Sequence, residues 1–174
     1  MHELYNWEPL FTRQISDTNL LKQITVWKDI IIEFCSDENK FVITPSEDIN
    51  SYPFTNTTID RSLTNSELLF FLDEIVKLGH GIWANEDAKA RFLVLVNTVE
   101  EYAELLYKWI ESTGQLGSVL TVWELTDEGD TAIGTDFEGL ERPVIDAVLN
   151  ILVRQGKCAI IPGDTAEDDG VKFQ

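Results

Sequence analysis

The side chains of this 174-residue chain that could do chemistry are two histidines, two cysteines and 31 carboxylates. A histidine beside an acid or a nucleophile would move protons, and clustered cysteines and histidines would hold zinc. Their spacing supports neither. His2 is terminal. His80 follows Gly79 where a helix gives way to a strand, and a cation there favours the helix C-terminus. Its expected role is structural. Cys35 and Cys158 lie far apart, so buried free thiols in a reducing compartment are expected rather than a disulfide framework. There is no His pair at i, i+4, no Cys-x-x-Cys and no phosphate-binding glycine loop. The segment Asp127 to Glu138 has acids at the first and twelfth places of a calcium loop. Gly129 and Thr131 stand where ligand acids belong, and Ala132 where the sharp-turn glycine belongs, so calcium is not expected. No catalytic residue, metal or cofactor is predicted, and the carboxylates read as a solvated face.

What the carboxylates do establish is charge. The net charge is −18. Residues 1–96 carry 15 acids and 8 bases (−7), and residues 97–174 carry 16 acids and 5 bases (−11). Nucleic acid and anionic membrane surfaces draw proteins through Lys and Arg, so both are disfavoured as ligands. No apolar run approaches the roughly 20 residues that span a bilayer. The start, His2 to Glu8, lacks the basic and apolar segments of a secretory signal. Asn56-Thr57-Thr58 therefore reads as a chance glycosylation sequon.

The elements that carry these residues recur. Residues Ser66 to Gly79 form an amphipathic helix ended by Gly, and Gly81–Ala84, a turn at Asn85–Ala90 and Arg91–Val96 follow as a hairpin. About 77 positions on, Glu141 to Gly156 form a second such helix. Cys158–Ile161, an acidic Gly163–Gly170 tip and Val171–Phe173 then follow. With Gly79 placed on Gly156, Leu68, Phe71, Leu72 and Ile75 fall on Ile145, Val148, Leu149 and Leu152. A helix followed by a β-hairpin wing is the back half of a winged-helix domain. Its recognition helix usually carries basic residues. Here the first has Glu67, Asp73 and Glu74 against Lys77, and the second has Glu141 and Asp146 against Arg142 and Arg154.

Each repeat has a matching front half. Ile24, Trp27, Ile31 and Phe34 recur at helical spacing, with Leu20 one turn earlier, and predict a helix over 18–35. Lys40–Thr44 reads as a strand. Pro45, Asp48, Asn50 and Pro53 mark an irregular stretch, and a short helix is expected over 57–62. Thr64-x-x-Glu67, Thr98-x-x-Glu101 and Thr121-x-x-Glu124 are capping boxes. The helix after Thr98 uses Tyr102, Leu105, Leu106, Trp109 and Ile110 as its apolar face and stops at Gly114. Ser118–Leu120 is a strand, and Pro143 sits in the first turn of the last helix. The fold class predicted is α+β, mainly helical, with an extended arm over 1–17 and two tandem winged-helix domains over 18–96 and 97–174. The arm's aromatics, Tyr5, Trp7 and Phe11, mean that it packs on something, either its own domain or another subunit.

Four segments carry a resemblance: Tyr107–Gln115 (Tyr-Lys-Trp-Ile-Glu-Ser-Thr-Gly-Gln), Ser118–Thr126 (Ser-Val-Leu-Thr-Val-Trp-Glu-Leu-Thr), Phe137–Leu140 (Phe-Glu-Gly-Leu) and Gly170–Phe173 (Gly-Val-Lys-Phe). Over nearly its whole length the chain resembles the family of small ESCRT-II subunits typified by vacuolar protein-sorting-associated protein 25. The resemblance implies tandem winged helices and a non-enzymatic adaptor, two copies of which join one each of two larger ESCRT-II subunits. It implies that the N-terminal arm docks on those subunits through Pro-Pro-x-aromatic motifs. Glu8-Pro9-Leu10-Phe11 matches the second motif with one Pro missing. His2-Glu3-Leu4-Tyr5 keeps only the aromatic of the first. The docking residues expected are therefore Tyr5, Trp7, Pro9, Leu10 and Phe11.

The same resemblance implies that the second domain binds the N-terminal helix of an ESCRT-III subunit. Such helices tend to be basic, which selects Asp127, Glu128, Asp130, Asp136 and Glu138 as the expected surface. The function implied is sorting of ubiquitinated cargo to multivesicular bodies. The protein would be cytoplasmic and recruited to the endosome surface, without inserting into the membrane or binding nucleic acid. The alternative, a winged-helix nucleic-acid-binding regulator, shares the fold and predicts salt-sensitive DNA binding.

Overall fold

The apolar face read from Ile24, Trp27 and Ile31 belongs to α1, Asp17–Glu38, in this computed structural model. The structure describes residues 2–126, 132–165 and 168–174. The chain divides into two compact units, Met1–Thr98 and Val99–Gln174.

In the first unit α1 is followed by β1 (Val42–Ile43), α2 (Pro45–Asp48), a hairpin of β2 (Thr55–Asn56) and β3 (Arg61–Ser62), α3 (Asn65–Lys77), β4 (Gly81–Trp83) and β5 (Phe92–Val94). β5 is the middle strand of an antiparallel sheet in the order β1-β5-β4. The second unit runs α4 (Val99–Ser112), β6 (Val119–Thr121), α5 (Val122–Thr126), α6 (Arg142–Arg154), β7 (Cys158–Ile161) and β8 (Gly170–Phe173). Its sheet has the equivalent order, β6-β8-β7. Helix, strand, short helix, helix and hairpin, with the first strand paired to the last, is winged-helix connectivity; both units have it, and the first adds the β2–β3 hairpin between α2 and α3.

Local chemistry sets the boundaries. Thr64 and Glu67 close the capping box at the start of α3, and Thr121 and Glu124 close another at α5. At the end of α3 the Gly79 amide donates to Val76 and the His80 amide to Ile75; at the end of α6 the Gly156 amide donates to Val153 and the Lys157 amide to Leu152. Both are Schellman endings, and both glycines have positive φ. Gly81 has a different reason: a Cβ there would lie 2.1 Å from Cζ of the buried Phe92 ring.

Two expectations are corrected. The helix expected over 57–62 is instead the turn of the β2–β3 hairpin and its second strand, β3. The Asn56 carboxamide accepts from the Thr58 amide, a local bond that competes with a helical turn, and Asp60 adopts the left-handed conformation. The short helix lies earlier, at α2 in the stretch read as irregular. Pro45 opens it and the Asp48 carboxylate reaches back to the Thr44 amide at 2.7 Å. The N-terminal segment is also not extended. It forms successive turns and a single 3-10 turn over Glu8–Phe11.

Trp27 is the centre of the first core. It packs edge-on against Phe11 at 5.4 Å and beside Phe54 and Phe71, with Leu68, Leu72, Ile75 and Phe92 around them. The second core joins Leu106 and Ile110 of α4 to Ile145, Val148 and Leu149 of α6, with Val171 and Phe173 from β8.

Each wing is tied to its preceding helix by a charge pair, with the polarity exchanged. In the first, Lys89 reaches both oxygens of Asp73 on α3, at 2.7 and 2.6 Å, and Asp73 also accepts from the Trp83 indole. In the second, Arg142 on α6 donates to Asp169 at 2.8 Å and to Asp146 at 2.7 Å. The Gly163 amide and Arg142 hold the Asp169 carboxyl below its ordinary value. A carboxyl whose pKa is lowered on folding adds stability above its unfolded pKa and loses it as pH falls through the folded one. Asp169→Asn is therefore expected to weaken the second unit at neutral pH and to leave its stability less dependent on pH below about 4. Urea unfolding at a series of pH values measures this, and parallel pH profiles for variant and parent would count against the tie.

Candidate interaction surfaces

The N-terminal segment is anchored through its backbone. The Leu10 carbonyl accepts from the Gln23 carboxamide at 2.8 Å and the Trp27 indole at 3.0 Å. The Tyr5 carbonyl accepts from the Asn56 carboxamide, and the Tyr5 hydroxyl donates to the Thr55 carbonyl at 3.1 Å. Burial pushes the Tyr5 phenol up to about 12. Glu8 pairs with Arg61 at 2.6 Å, and the Arg13 guanidinium lies 3.8 Å from the Phe70 ring centre.

This anchoring divides the five expected docking residues. Tyr5, Leu10 and Phe11 are core side chains of their own unit, while Trp7 and Pro9 face outward. Trp7 keeps 48% of its surface and Leu4 41%. Both line a groove of about 380 Å³ together with Leu10, Val26, Gln23 and Lys22. Leu4, Val26 and Gln23 were not singled out from the sequence. Gln23 had a signal: it lies one turn before Trp27 on the apolar face of α1, where a polar residue implies a buried hydrogen-bonding task.

Of the five acids expected on the second unit, Asp127, Glu128 and Asp130 lie outside the described residues. Asp136 and Glu138 are exposed on ordered turns, and Glu138 accepts from the Gly134 amide at 2.6 Å. Phe137 between them turns inward, stacked on Trp109 at 5.7 Å and edge-on to Tyr102. Ile133 beside them is exposed.

The remaining reactive groups are quiet. Burial pushes the Cys35 thiol up to about 12 and the Cys158 thiol up to about 11, away from thiolate chemistry. The His80 ring nitrogen Nδ1 sits 3.1 Å from the Leu95 carbonyl, in the expected structural place. Among the described residues no group of three His, Cys, Asp or Glu is placed to hold a metal, and no helix is long and apolar enough to cross a membrane.

Residues 4–141 match the family model described as ESCRT-II complex subunit. Vacuolar protein sorting-associated protein 25 of Arabidopsis thaliana is 33% identical over 172 residues, 98% of this chain and 93% of that protein. The crystal structure of subunit VPS25 of the endosomal trafficking complex ESCRT-II superposes with a TM-score of 0.77 at 21% identity, over 100% of this chain and 98% of the other. A chain from the crystal structure of endosomal complex ESCRT-II, described as VPS22/VPS25/VPS36, superposes with a TM-score of 0.74 at 23% identity, over 99% and 98%.

Proposed function

This chain belongs to the ESCRT-II complex subunit family, and from that premise we propose that it is the complex's small docking subunit. In this reading it is a non-enzymatic adaptor, cytoplasmic and recruited to the endosome surface, that helps sort ubiquitinated cargo to multivesicular bodies. Its partners are two larger subunits, the counterparts of VPS22 and VPS36 in the similar complex. Two copies of the chain serve one of each. Membrane and ubiquitin contacts fall to those larger subunits.

The observation that carries the reading is the split N-terminal segment. Three of its apolar residues hold it to the first core, while Leu4 and Trp7 stand exposed over a groove. Exposed Trp in a rigid frame is the composition of an interface anchor. The nucleic-acid alternative needs unpaired cations along one face. Here Lys28, Lys40, Arg61, Lys77, Lys89, Lys108 and Arg142 each lie within ion-pair distance of a carboxylate. Lys157 lies over the Tyr107 ring.

In this reading the second unit receives the basic N-terminal helix of an ESCRT-III subunit, with Asp136 and Glu138 steering its approach. Reversing both, as Asp136→Lys with Glu138→Lys, is expected to weaken that binding about threefold to tenfold and to flatten its salt dependence. The assembly with the larger subunits should stay intact. Isothermal titration at low and high salt reads both effects, and unchanged affinity at low salt would remove these two acids from the surface.

A further inference from the structure

Three short runs in the chain place an arginine or lysine three residues before a hydroxyl: Arg13 before Ser16, Lys22 before Thr25 and Arg61 before Thr64. Serine/threonine kinases with an acidic pocket for the side chain at that distance select this spacing by charge. Two of the three hydroxyls are already committed. Thr25 lies inside α1 and donates to the Leu21 carbonyl at 3.0 Å. Thr64 closes the capping box of α3, accepting from the Glu67 amide and donating to the Glu67 carboxylate at 2.8 Å. Ser16 alone of the three is open. It is exposed, and its backbone is extended, with φ −75° and ψ 128°. It holds the N-cap position of α1, yet its hydroxyl makes no cap bond.

The residues around Ser16 suit an incoming active site. Arg13 is exposed, and its guanidinium rests on the Phe70 ring, without a carboxylate at ion-pair distance among the described residues. Ile15 keeps 99% of its surface, and Asp17, Thr18 and Asn19, the first turn of α1, are exposed as well. No buried side chain holds that turn, so opening it locally costs little. Ser16 is also close to the N-terminal groove. Gln14, two residues before it, and Asn19, three after it, both line that groove. Two peptide units keep Ser16 within about 8 Å of Gln14, close to one Debye length at physiological salt. The charged side chain of the lining is Lys22, so a complementary partner face is neutral or anionic.

We propose that Ser16 is a phosphorylation site for a basophilic serine/threonine kinase, and that its phosphate weakens docking at the N-terminal groove. The kinase transfers the terminal phosphoryl group of ATP to Oγ of Ser16. The new Oγ–P bond replaces the bond from that phosphorus to the bridging oxygen, ADP leaves, and the hydroxyl proton passes to the kinase's catalytic carboxylate. The kinase's acidic pocket takes Arg13 from the Phe70 ring. Phosphoserine carries about −1.5 to −2 charge at neutral pH. Here it repels an anionic partner face, and it holds water next to a groove that docking must dry. The fold accommodates it, because Ser16 caps a 22-residue helix whose first amides favour an anion. The modification site stands on Arg13 and Ser16 alone, and its effect on docking rests on reading the groove as the docking surface.

Incubating the full chain with ATP and calmodulin-dependent protein kinase II, which selects arginine at that spacing, tests the site. Mass spectrometry is expected to show one phosphate, mapped to Ser16. Ser16→Ala should abolish it, and Arg13→Ala should slow it about tenfold or more. Lys22→Ala and Arg61→Ala should leave the rate within about twofold. Arg13 and Ser16 are exposed, so both of their variants should melt as the parent does. A chain that takes no phosphate at Ser16, or a rate unchanged by Arg13→Ala, overturns the proposal. The phosphorylated chain is then compared with the parent for affinity to the two larger ESCRT-II subunits and for melting temperature. Docking is expected to weaken about fivefold or more, with melting no lower than the parent's. Unchanged docking, where Leu4→Asp with Trp7→Asp abolishes it, overturns the effect on docking, as does a lowered melting point. If that double variant docks as the parent does, the reading of the groove fails while the phosphorylation site stands.

Discussion

Deleting residues 2–14 is expected to unfold the first unit. The segment resembles a detachable arm in sequence, yet Tyr5, Leu10 and Phe11 are core side chains, and Phe11 packs against the central Trp27. Removing one buried aromatic or leucine costs about 2–5 kcal/mol. A small domain has about 5–15 kcal/mol in total. Losing three such side chains, together with the carbonyl that satisfies the Trp27 indole and Gln23, takes away most of that margin. Circular dichroism and the amide spectrum of residues 15–98 report the result. The milder Phe11→Ala should lower the first unit's melting point by on the order of 10 °C or more. A truncated chain that melts within a few degrees of the full one would show that the segment is not part of the core. The corollary is practical: truncation cannot separate docking from folding, and point changes at exposed positions can.

The second large effect uses that separation. Leu4→Asp with Trp7→Asp is expected to leave the first unit folded, since exposed substitutions usually change stability by less than about 0.5 kcal/mol. Loss of docking on the larger ESCRT-II subunits should be severe. A tryptophan anchor at the centre of an interface carries about 2–4 kcal/mol, equivalent to roughly 30-fold or more in affinity. A carboxylate placed there adds desolvation cost. Co-purification with the two larger subunits, after an unchanged melting curve has been recorded, measures it. Full retention of the variant would move the docking surface off this groove.

The sequence was most legible where one residue type has one physical job. The glycines at 79 and 156 could be read as helix ends because the left-handed position admits little else. The Thr-x-x-Glu pairs at 64 and 121 marked helix starts for a similar reason. α1 was read short, to 35 instead of 38, because its last turn, Ser36–Glu38, has no apolar residue to extend the periodicity. Its true end is marked by Asn39 with positive φ. α2 is hidden in the sequence although Thr44-Pro45 announces it. Pro45 reads as a breaker where it acts as an opener, and four residues are too few to show a period. The turn at 57–60 was misread because the Asn56 side-chain bonds are visible only once Tyr5 and Asn6 are seen beside it.

The candidate surfaces were less legible than the fold. Composition showed that the N-terminal aromatics had to pack, but not which would face inward. Tyr5 and Trp7 differ by two residues and take opposite fates, because Tyr5 finds the Thr55 carbonyl for its hydroxyl and Trp7 finds only the groove rim. The wing ties, Asp73 with Lys89 and Arg142 with Asp169, join residues 16 and 27 positions apart, and no local pattern reports them. Arg13 with Ser16 is one of three such spacings, and the other two are set aside only by the bonds that Thr25 and Thr64 make in the fold.

In the proposed reading this anionic pair of winged helices docks on larger ESCRT-II subunits through its N-terminal groove. The mass, by light scattering, of the assembly formed when the chain is co-expressed with those two subunits tests it. The expected result is one particle holding two copies of the chain and one of each larger subunit, reduced to particles without it by Leu4→Asp with Trp7→Asp. A wild-type chain that elutes alone at its own 19.8 kDa, or a double variant that assembles as the parent does, would contradict it.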